Sequence, residues 1–541
     1  MKRRRWLTIL SVVSALGLAL VVGAGSARGD EGEEGLQPVE FVHNVRDAPA
    51  PVTGAVFGTA PQTKTGTAIC TTPTQATANV NTDCEGVNPH NETSIAVNPT
   101  NTQNILGGAN DYQLGINPGG HIGETVISRA HVSFDGGRTW SEYPITSNSA
   151  YQATGDPAVA FDATGHAYYA TLGFRFAGLV KTTNPDVIVA NSGDGGKTWD
   201  SVRVAEGSGN SGSVGDLLDK EYIAAWGAGN AIVTYGDYRL QQKGVVSTGR
   251  IYATVTHDFG RTWTTPVVIS GSLDQAFVSV PTVAADGRIY VAFLNTTDLV
   301  TGRDDYEVVE VSPATGARLA GPFKVATTID GRTDYPIALG RQTYQDSVFR
   351  TWAAGNITAD PTNAAHLAVV WSDMRNSTLP APADPYAAKT NSDVILSQSF
   401  DRGRTWSAPV ALALGGDQWM PWGAYDGAGR LRIGTFDRQY DAANHLYGYT
   451  VATETAPGAL AFAAAQVTTA LSDPTRGSLW FAVTLNPTFP AANAFIGDYS
   501  NIAVVPGVGG GVVSYWTDLR QQACFAGICG HGEDAFFART P

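Results

Sequence analysis

Charge is scarce in this chain. Only 16% of its 541 residues are Asp, Glu, Lys or Arg, and no long stretch repeats apolar residues at the helical period. A mainly helical protein is thereby excluded. Positive charge is scarcer still, with 35 Lys and Arg against 49 Asp and Glu, a formal −14. Such a surface is poorly suited to nucleic acid or anionic membranes, and it says little about neutral substrates. Cysteine is limited to two close pairs, Cys70/Cys84 and Cys524/Cys529. Neither has zinc-ribbon spacing with further ligands nearby. Two local disulfides of an oxidising compartment are expected, each closing a small loop worth ~2–3 kcal/mol. The nine histidines show no H-E-x-x-H or similar spacing, and G-x-S-x-G elbows and P-loops are absent. Spacing therefore points to no metal and no cofactor. One oxygen-rich stretch, DPYAAKTNSD from Asp384 to Asp393, could hold Ca²⁺. It lacks EF-hand order, and a polar loop is the simpler reading.

Long hydrophobic runs are missing too, except at the start. Lys2 to Arg5 form a basic cluster and Leu7 to Val22 are mostly apolar, followed by Gly25, Ser26 and Ala27. This pattern predicts a secretory signal at 1–27 cut after Ala27, and so a secreted protein. Arg4, Arg5, Trp6 and Leu7 resemble a twin-arginine variant, and an uncleaved anchor is the alternative. Loss of Lys2 to Arg5 would take the formal charge from −14 to −18.

What is abundant is glycine, 61 residues, and repetition. SFDGGRTW (133–140), SGDGGKTW (192–199), THDFGRTW (256–263) and SFDRGRTW (399–406) are one phrase used four times. Degenerate copies lie at 311–325 and 452–469. The flanks repeat as a short apolar strand, a tight turn and a second strand, at 94–111, 158–174, 222–237, 282–295, 356–373, 422–437 and 501–518. Seven units of about four strands, none able to bury both faces alone, predict a β-propeller of four-stranded antiparallel blades. Six blades is the alternative count. The propeller is expected over 89–541, after an N-terminal segment at 28–88. The seventh unit lacks a strand, and VEFVHNV (39–45) is the expected donor that closes the ring.

The phrase S-x-D-x-G-x-T-W is similar to the Asp-box, or BNR repeat, of the sialidase superfamily, and the repeats cover nearly all of 89–541. Its physics is that of a β-hairpin. Asp135, Asp194, Asp258 and Asp401 can accept backbone N–H bonds from their own turn. Gly137, Gly196, Gly260 and Gly403 can supply positive φ. Trp140, Trp199, Trp263 and Trp406 would pack beneath the hairpin. These roles are structural. Strand parity then sends the connections between second and third strands, and between blades, to the face opposite the boxes.

On that opposite face the first strands begin with Glu92, Asp156, Asp219–Lys220, Met420–Pro421 and Asp498–Tyr499. The second strands end with Asp111, Arg175, Asp237/Arg239, Asp373/Arg375, Asp437/Arg438 and Asp518/Arg520. Asp followed closely by Arg recurs, which favours blade-to-blade ion pairing. The residues that break the repeat are Lys220, Trp419, Met420, Tyr499, the insertion at 377–393, and the Cys524–Cys529 loop with His531. In sialidases three arginines clamp a carboxylate, a Tyr–Glu pair is the nucleophile, and an Asp is acid/base. The resemblance implies Arg239, Arg375, Arg438 and Arg520 as clamp candidates, with Lys220 and Trp419 beside the sugar. Tyr499 would be the nucleophile, Glu92 or Asp498 its base, and Asp156 or Asp111 the acid/base. The family's Arg-Ile-Pro motif is absent, since HNETSIAVNP (90–99) has no arginine. The implied function is an exo-acting glycosidase, a sialidase cleaving sialic acid or related sugars from extracellular glycans or glycoproteins, working as a monomer. The alternatives are a non-catalytic propeller binding carbohydrate or protein, and a different hydrolytic or lyase activity on polysaccharide.

Overall fold

The computed structural model describes residues 66–541, apart from 85, 117–121, 147–149, 178–179, 182–183, 210–213, 241–245, 299–302, 330–342, 345–346, 348, 378–390, 475–478, 480–495 and 508. The signal-like segment, VEFVHNV and most of the Asp384–Asp393 stretch lie outside the described residues.

The chain forms a seven-bladed β-propeller. Its seven innermost strands are His90–Val97, Ala153–Phe161, Gly215–Trp226, Ala276–Val283, Gly355–Ala359, Gln418–Tyr425 and Asn501–Val504. Each leads an antiparallel sheet of four strands, and each touches the next around the ring. The reason is patterning. Second strands such as Leu367–Asp373 and Leu431–Asp437 are buried along their whole length, so both faces must be covered by neighbouring blades.

The ring closes between blades seven and one. Thr93 bridges Ser500 in parallel, and Thr93 Oγ1 donates to Tyr515 O at 2.7 Å. The strand completing blade seven is Val80–Asn81, paired with Phe537 and Phe536. Val80–Asn81 lies within the N-terminal segment expected to close the ring, while VEFVHNV lies outside the described residues. Ten residues earlier, Cys70–Thr71 adds a fifth strand to blade one against Ser141–Pro144. The N-terminal segment therefore straddles the seam. Both cysteine pairs are bridged, Cys70–Cys84 and Cys524–Cys529.

All four boxes have one geometry, between the third and fourth strands of blades one, two, three and five. In the first, Asp135 accepts from the backbone of Arg138 (2.9 Å) and Thr139 (3.0 Å), and from the hydroxyls of Thr139 (2.8 Å) and Ser133 (2.9 Å). Ser133 Oγ accepts from Gly137 N–H at 2.8 Å, and Trp140 Nε1 donates to Gly137 O at 3.1 Å. Gly137, Gly196, Gly260 and Gly403 have φ of 99°, 103°, 80° and 76°. The box also seals one blade to the one before it. A Cβ on Gly137 would strike Phe537 of blade seven at 2.1 Å, and one on Gly196 would meet Val132 of blade one at 2.9 Å.

Candidate functional site

The site is built from a repeated irregularity. In blades one, two, three, four and six the innermost strand shifts register near its start, between Asn91 and Ser94, Gly155 and Ala158, Asp219 and Tyr222, Phe277 and Ser279, and Trp419 and Trp422. Each shift holds one residue in the left-handed region: Glu92 (φ 54°), Asp156 (61°), Lys220 (55°), Val278 (48°) and Met420 (48°). A bulge re-aims side chains and bends its strand. A non-glycine residue there costs roughly 1–2 kcal/mol, and such strain gathers at functional sites. In blade seven Gly497 (φ 83°) comes just before Asp498. A Cβ on Gly497 would lie 2.6 Å from the Glu92 backbone nitrogen, so only glycine lets the two blades approach here.

Three of the shifted residues meet. Lys220 Nζ donates to Asp498 Oδ2 at 2.7 Å and Asp156 Oδ2 at 3.3 Å, and lies 3.6 Å from Glu92 Oε1. Arg350 grips Asp498 from the other side, Nε to Oδ1 at 2.8 Å and Nη2 to Oδ2 at 2.6 Å. Glu92 Oε2 accepts from Asn110 Nδ2 at 3.0 Å. All are buried. Glu221, next along the strand, is buried as well, and neither of its carboxyl oxygens has a hydrogen-bond partner among the described residues.

Four carboxyls thus share two cations, and they cannot all ionise in a dry site. Burial first, then the Asp156 charge, pushes Glu92 well above the usual range. Burial and Asp156 do the same to Glu221. Burial would also raise Asp498, but Arg350 and Lys220 override it and hold that carboxyl well below the usual range. Burial would lower Lys220, but Asp498, Glu92 and Asp156 keep it protonated. One ammonium therefore contacts Asp498, whose pKa is held down, and lies 3.6 Å from Glu92, whose pKa is pushed up.

Above this network is a pocket with about 360 Å³ of atom-free space, part of it open to solvent. Lys220 and Asp498 line it together with the rings of Tyr222, Trp352, Trp422 and Tyr499. Tyr222 stacks on Trp422 at 5.7 Å and tilts against Tyr499 at 5.4 Å, bringing together blades three, six and seven.

The residues singled out from the sequence divide into two groups. Tyr499, Glu92, Asp156 and Lys220 are brought together. Tyr499 Oη, however, donates to Pro157 O at 2.9 Å, and burial with Glu92 and Asp156 nearby keeps the phenol protonated. Asp111 belongs to a separate cluster in blade one, 2.8 Å from Arg129 and 3.7 Å from His90. The four arginines are held apart, and none lines the pocket. Arg239 pairs with Asp216 on the surface. Arg375 and Arg520 each fold back on the aspartate two residues earlier, Asp373 and Asp518, with Nε–O distances of 2.8 Å. Arg438 is buried between Asp417 (3.3 Å) and the Trp419 ring (5.3 Å). Trp419 is itself fully buried among Tyr344, Phe349, Phe436 and Tyr447. Of the oxygen-rich stretch, Asp393 accepts from Asn376 at 2.7 Å. Sequence reasoning missed Arg350, Trp352, Tyr222 and Trp422. A signal was present: RTWA (350–353) sits just ahead of the fifth innermost strand, close to the level at which Glu92 opens the first.

No protein-family model matches the chain, and no curated protein matches it. Similar solved structures include the alpha-L-arabinanase of Penicillium chrysogenum complexed with arabinobiose (12% identity, 86% of this chain and 98% of that one, TM-score 0.41). The GH93 alpha-L-arabinofuranosidase of Fusarium graminearum, also with arabinobiose, gives 13% identity over 86% and 98%, TM-score 0.41. The Hadza microbial sialidase Hz136 gives 10% identity over 88% and 96%, TM-score 0.41. Likeness at this level carries no argument about function.

Proposed function

We propose that this protein is an exported, carbohydrate-active propeller that takes the end of a glycan chain into the pocket over Lys220 and Asp498 and hydrolyses its terminal glycosidic bond. One observation carries the reading. Two carboxyl groups around a single ammonium are pushed in opposite directions, Glu92 upward and Asp498 downward. Groups separated in this way can serve as proton donor and charge-stabilising base in one reaction. Asp498 faces the pocket, where its negative charge would stabilise an oxocarbenium-like transition state. Glu92 stands behind Lys220 as the store of the proton that the leaving oxygen needs. The rings of Trp352, Trp422 and Tyr222 offer apolar faces for a sugar ring.

The lining holds one cation, Lys220, already engaged by Asp498. A neutral terminal sugar is therefore the simplest fit, and a sialoside would have to compete for that ammonium. Export rests on the basic and apolar N-terminal pattern, with the two disulfides in keeping. The test is hydrolysis of fluorogenic sialosides and neutral furanosides and pyranosides by the wild type and Asp498→Asn. Turnover of one class, lost in the variant, supports the reading. Tyr499 Oη is spent on Pro157 O and both cations on Asp498, which favours a second reading, a propeller that binds glycans without cleaving them. Glycan-array binding with no turnover on any substrate would select that second reading.

A further inference from the structure

A second buried polar cluster lies away from the pocket, where blade one meets the N-terminal segment. His90, His131 and Glu142 are each fully buried. One ligand atom from each lies within 4.8 Å of the other two. They come from three different strands of blade one, His90–Val97, Ile122–Ser133 and Ser141–Pro144.

The tautomers are fixed by their surroundings. His90 Nδ1 sits 2.9 Å from Asn88 O, a pure acceptor, so Nδ1 carries a proton and donates it. His131 Nδ1 lies 3.1 Å from Thr82 Oγ1. Thr82 Oγ1 has a single proton and also touches Tyr515 Oη at 2.8 Å, which can donate to it; with the Thr82 proton given to Ala535 O at 3.0 Å, His131 Nδ1 is again the donor. Neither Nε2 atom has a hydrogen-bond partner among the described residues; Nε2 of His131 is then a bare lone pair, and Nε2 of His90 is one as well unless it holds a proton toward Asp111, 3.7 Å away. Buried acceptors without a donor, next to a carboxylate, are costly unless a cation joins them. Nδ1–H bound to a carbonyl or hydroxyl is also the way metal-ligating histidines are oriented. Charge balance points the same way. Asp83, Asp111 and Glu142 all surround His90, and Arg129 is the one arginine pairing with Asp111 and Glu142 among the described residues.

We propose that His90 Nε2, His131 Nε2 and Glu142 form a binding site for a divalent transition-metal ion, with zinc the best match to two imidazoles and one carboxylate. Zinc holds tetrahedral ligands roughly 3.4 Å apart at Zn–N of about 2.0–2.1 Å. Small side-chain rotations would close the set. The fourth position would take water or Asp111, whose Oδ1 is 3.7 Å from His90 Nε2. The ion's role would be structural. Glu142 Oε1 also accepts from Cys84 N at 3.2 Å, and Thr82 holds His131, so the metal would tie the N-terminal segment to blade one.

The experiment uses the full chain. After chelation and dialysis against zinc chloride, metal content is measured for wild type, His131→Gln, His90→Gln and the surface control His257→Gln. The expected result is about one zinc per chain in wild type and in His257→Gln. Each ligand variant should bind at least ~10–100-fold more weakly, the loss that removal of an outer-shell partner alone can cause. Zinc should also raise the melting temperature of the chelated wild type, a reading that does not depend on the variants folding. A chelated wild type that takes up no zinc and melts at the same temperature with or without it overturns the proposal. In that case a proton on His90 is the cation. Equal zinc uptake by all four proteins overturns it too.

Discussion

The two faces of the propeller treat aspartate in opposite ways. On the box face Asp135, Asp194, Asp258 and Asp401 each sit inside a private turn that supplies backbone and hydroxyl donors. Although burial pulls the other way, those hydrogen bonds keep all four carboxyls below their ordinary range. On the opposite face Glu92, Asp156, Glu221 and Asp498 share Lys220 and Arg350 across four blades. Two are forced upward and Asp498 is held down. Satisfaction within one hairpin can be copied from blade to blade. Competition for a shared cation cannot, and perturbed carboxyls of that kind are the ones to test for chemistry.

The largest effect that separates the faces should come from Lys220→Met. It leaves Glu92, Asp156 and Asp498 facing one another, with only Arg350 in support. Breaking a buried charge network costs about 3–5 kcal/mol, read by denaturant unfolding, and turnover should vanish. A box variant of comparable cost is Gly137→Ala. Its Cβ would overlap Phe537 and hold positive φ, at ~2–4 kcal/mol. Turnover per folded molecule should be unchanged, and a proportional loss of activity would end the division of labour between faces.

The pH dependence of stability should carry opposite signs. The box aspartates have folded pKa values below their unfolded ones, so their contribution is present above about pH 4 and is lost as pH falls. Glu92 has a folded pKa above its unfolded value. It favours folding at low pH and gives up that contribution as pH rises past about 4.5. Glu142, raised to about 7, and Asp534, raised to about 8, add to the same alkaline decline. Chemical denaturation from pH 3 to 8 should show both limbs. Glu92→Gln should flatten only the alkaline one, and a change in the acid limb instead would refute the assignment. The smallest effect is expected for Arg239→Ala. Its pair with Asp216 is surface-exposed and screened by solvent, so stability should not change measurably, and turnover should not move. A large loss of activity there would restore the arginine-clamp reading.

The blades were legible because the hairpin phrase and its flanking strands recur at readable intervals. Strand parity then led to Glu92, Asp156, Lys220 and Tyr499, which the structure brings together. The ring-closing strand was not legible. Val80–Asn81 is two residues long, too short for any alternation, whereas VEFVHNV had the apolar look of a strand. Arg350 escaped for a different reason. It lies in an irregular stretch and meets Asp498 from 148 residues away. The four arginines at second-strand ends were visible, but a repeated Asp-Arg pairing tells nothing about whether the guanidinium turns inward. In Arg375 and Arg520 it turns back on its own aspartate. His90, His131 and Glu142 converge through strand pairing, which no linear spacing motif encodes.

The N-terminal segment has a consequence for how the ring withstands cutting. Cys70–Thr71 is paired to blade one and Val80–Asn81 to blade seven, while the Cys70–Cys84 bridge encloses everything between. A protease that nicks the chain between 72 and 79 would not release either strand. Val80–Asn81 would stay joined to blade one through the main chain, and the fragment carrying Cys70–Thr71 would remain tethered through sulfur, keeping the high effective concentration of an intramolecular partner. Retention of the fifth strand of blade one would then depend on redox state, tolerating a nick while oxidised and losing its tether only when nicking and reduction coincide.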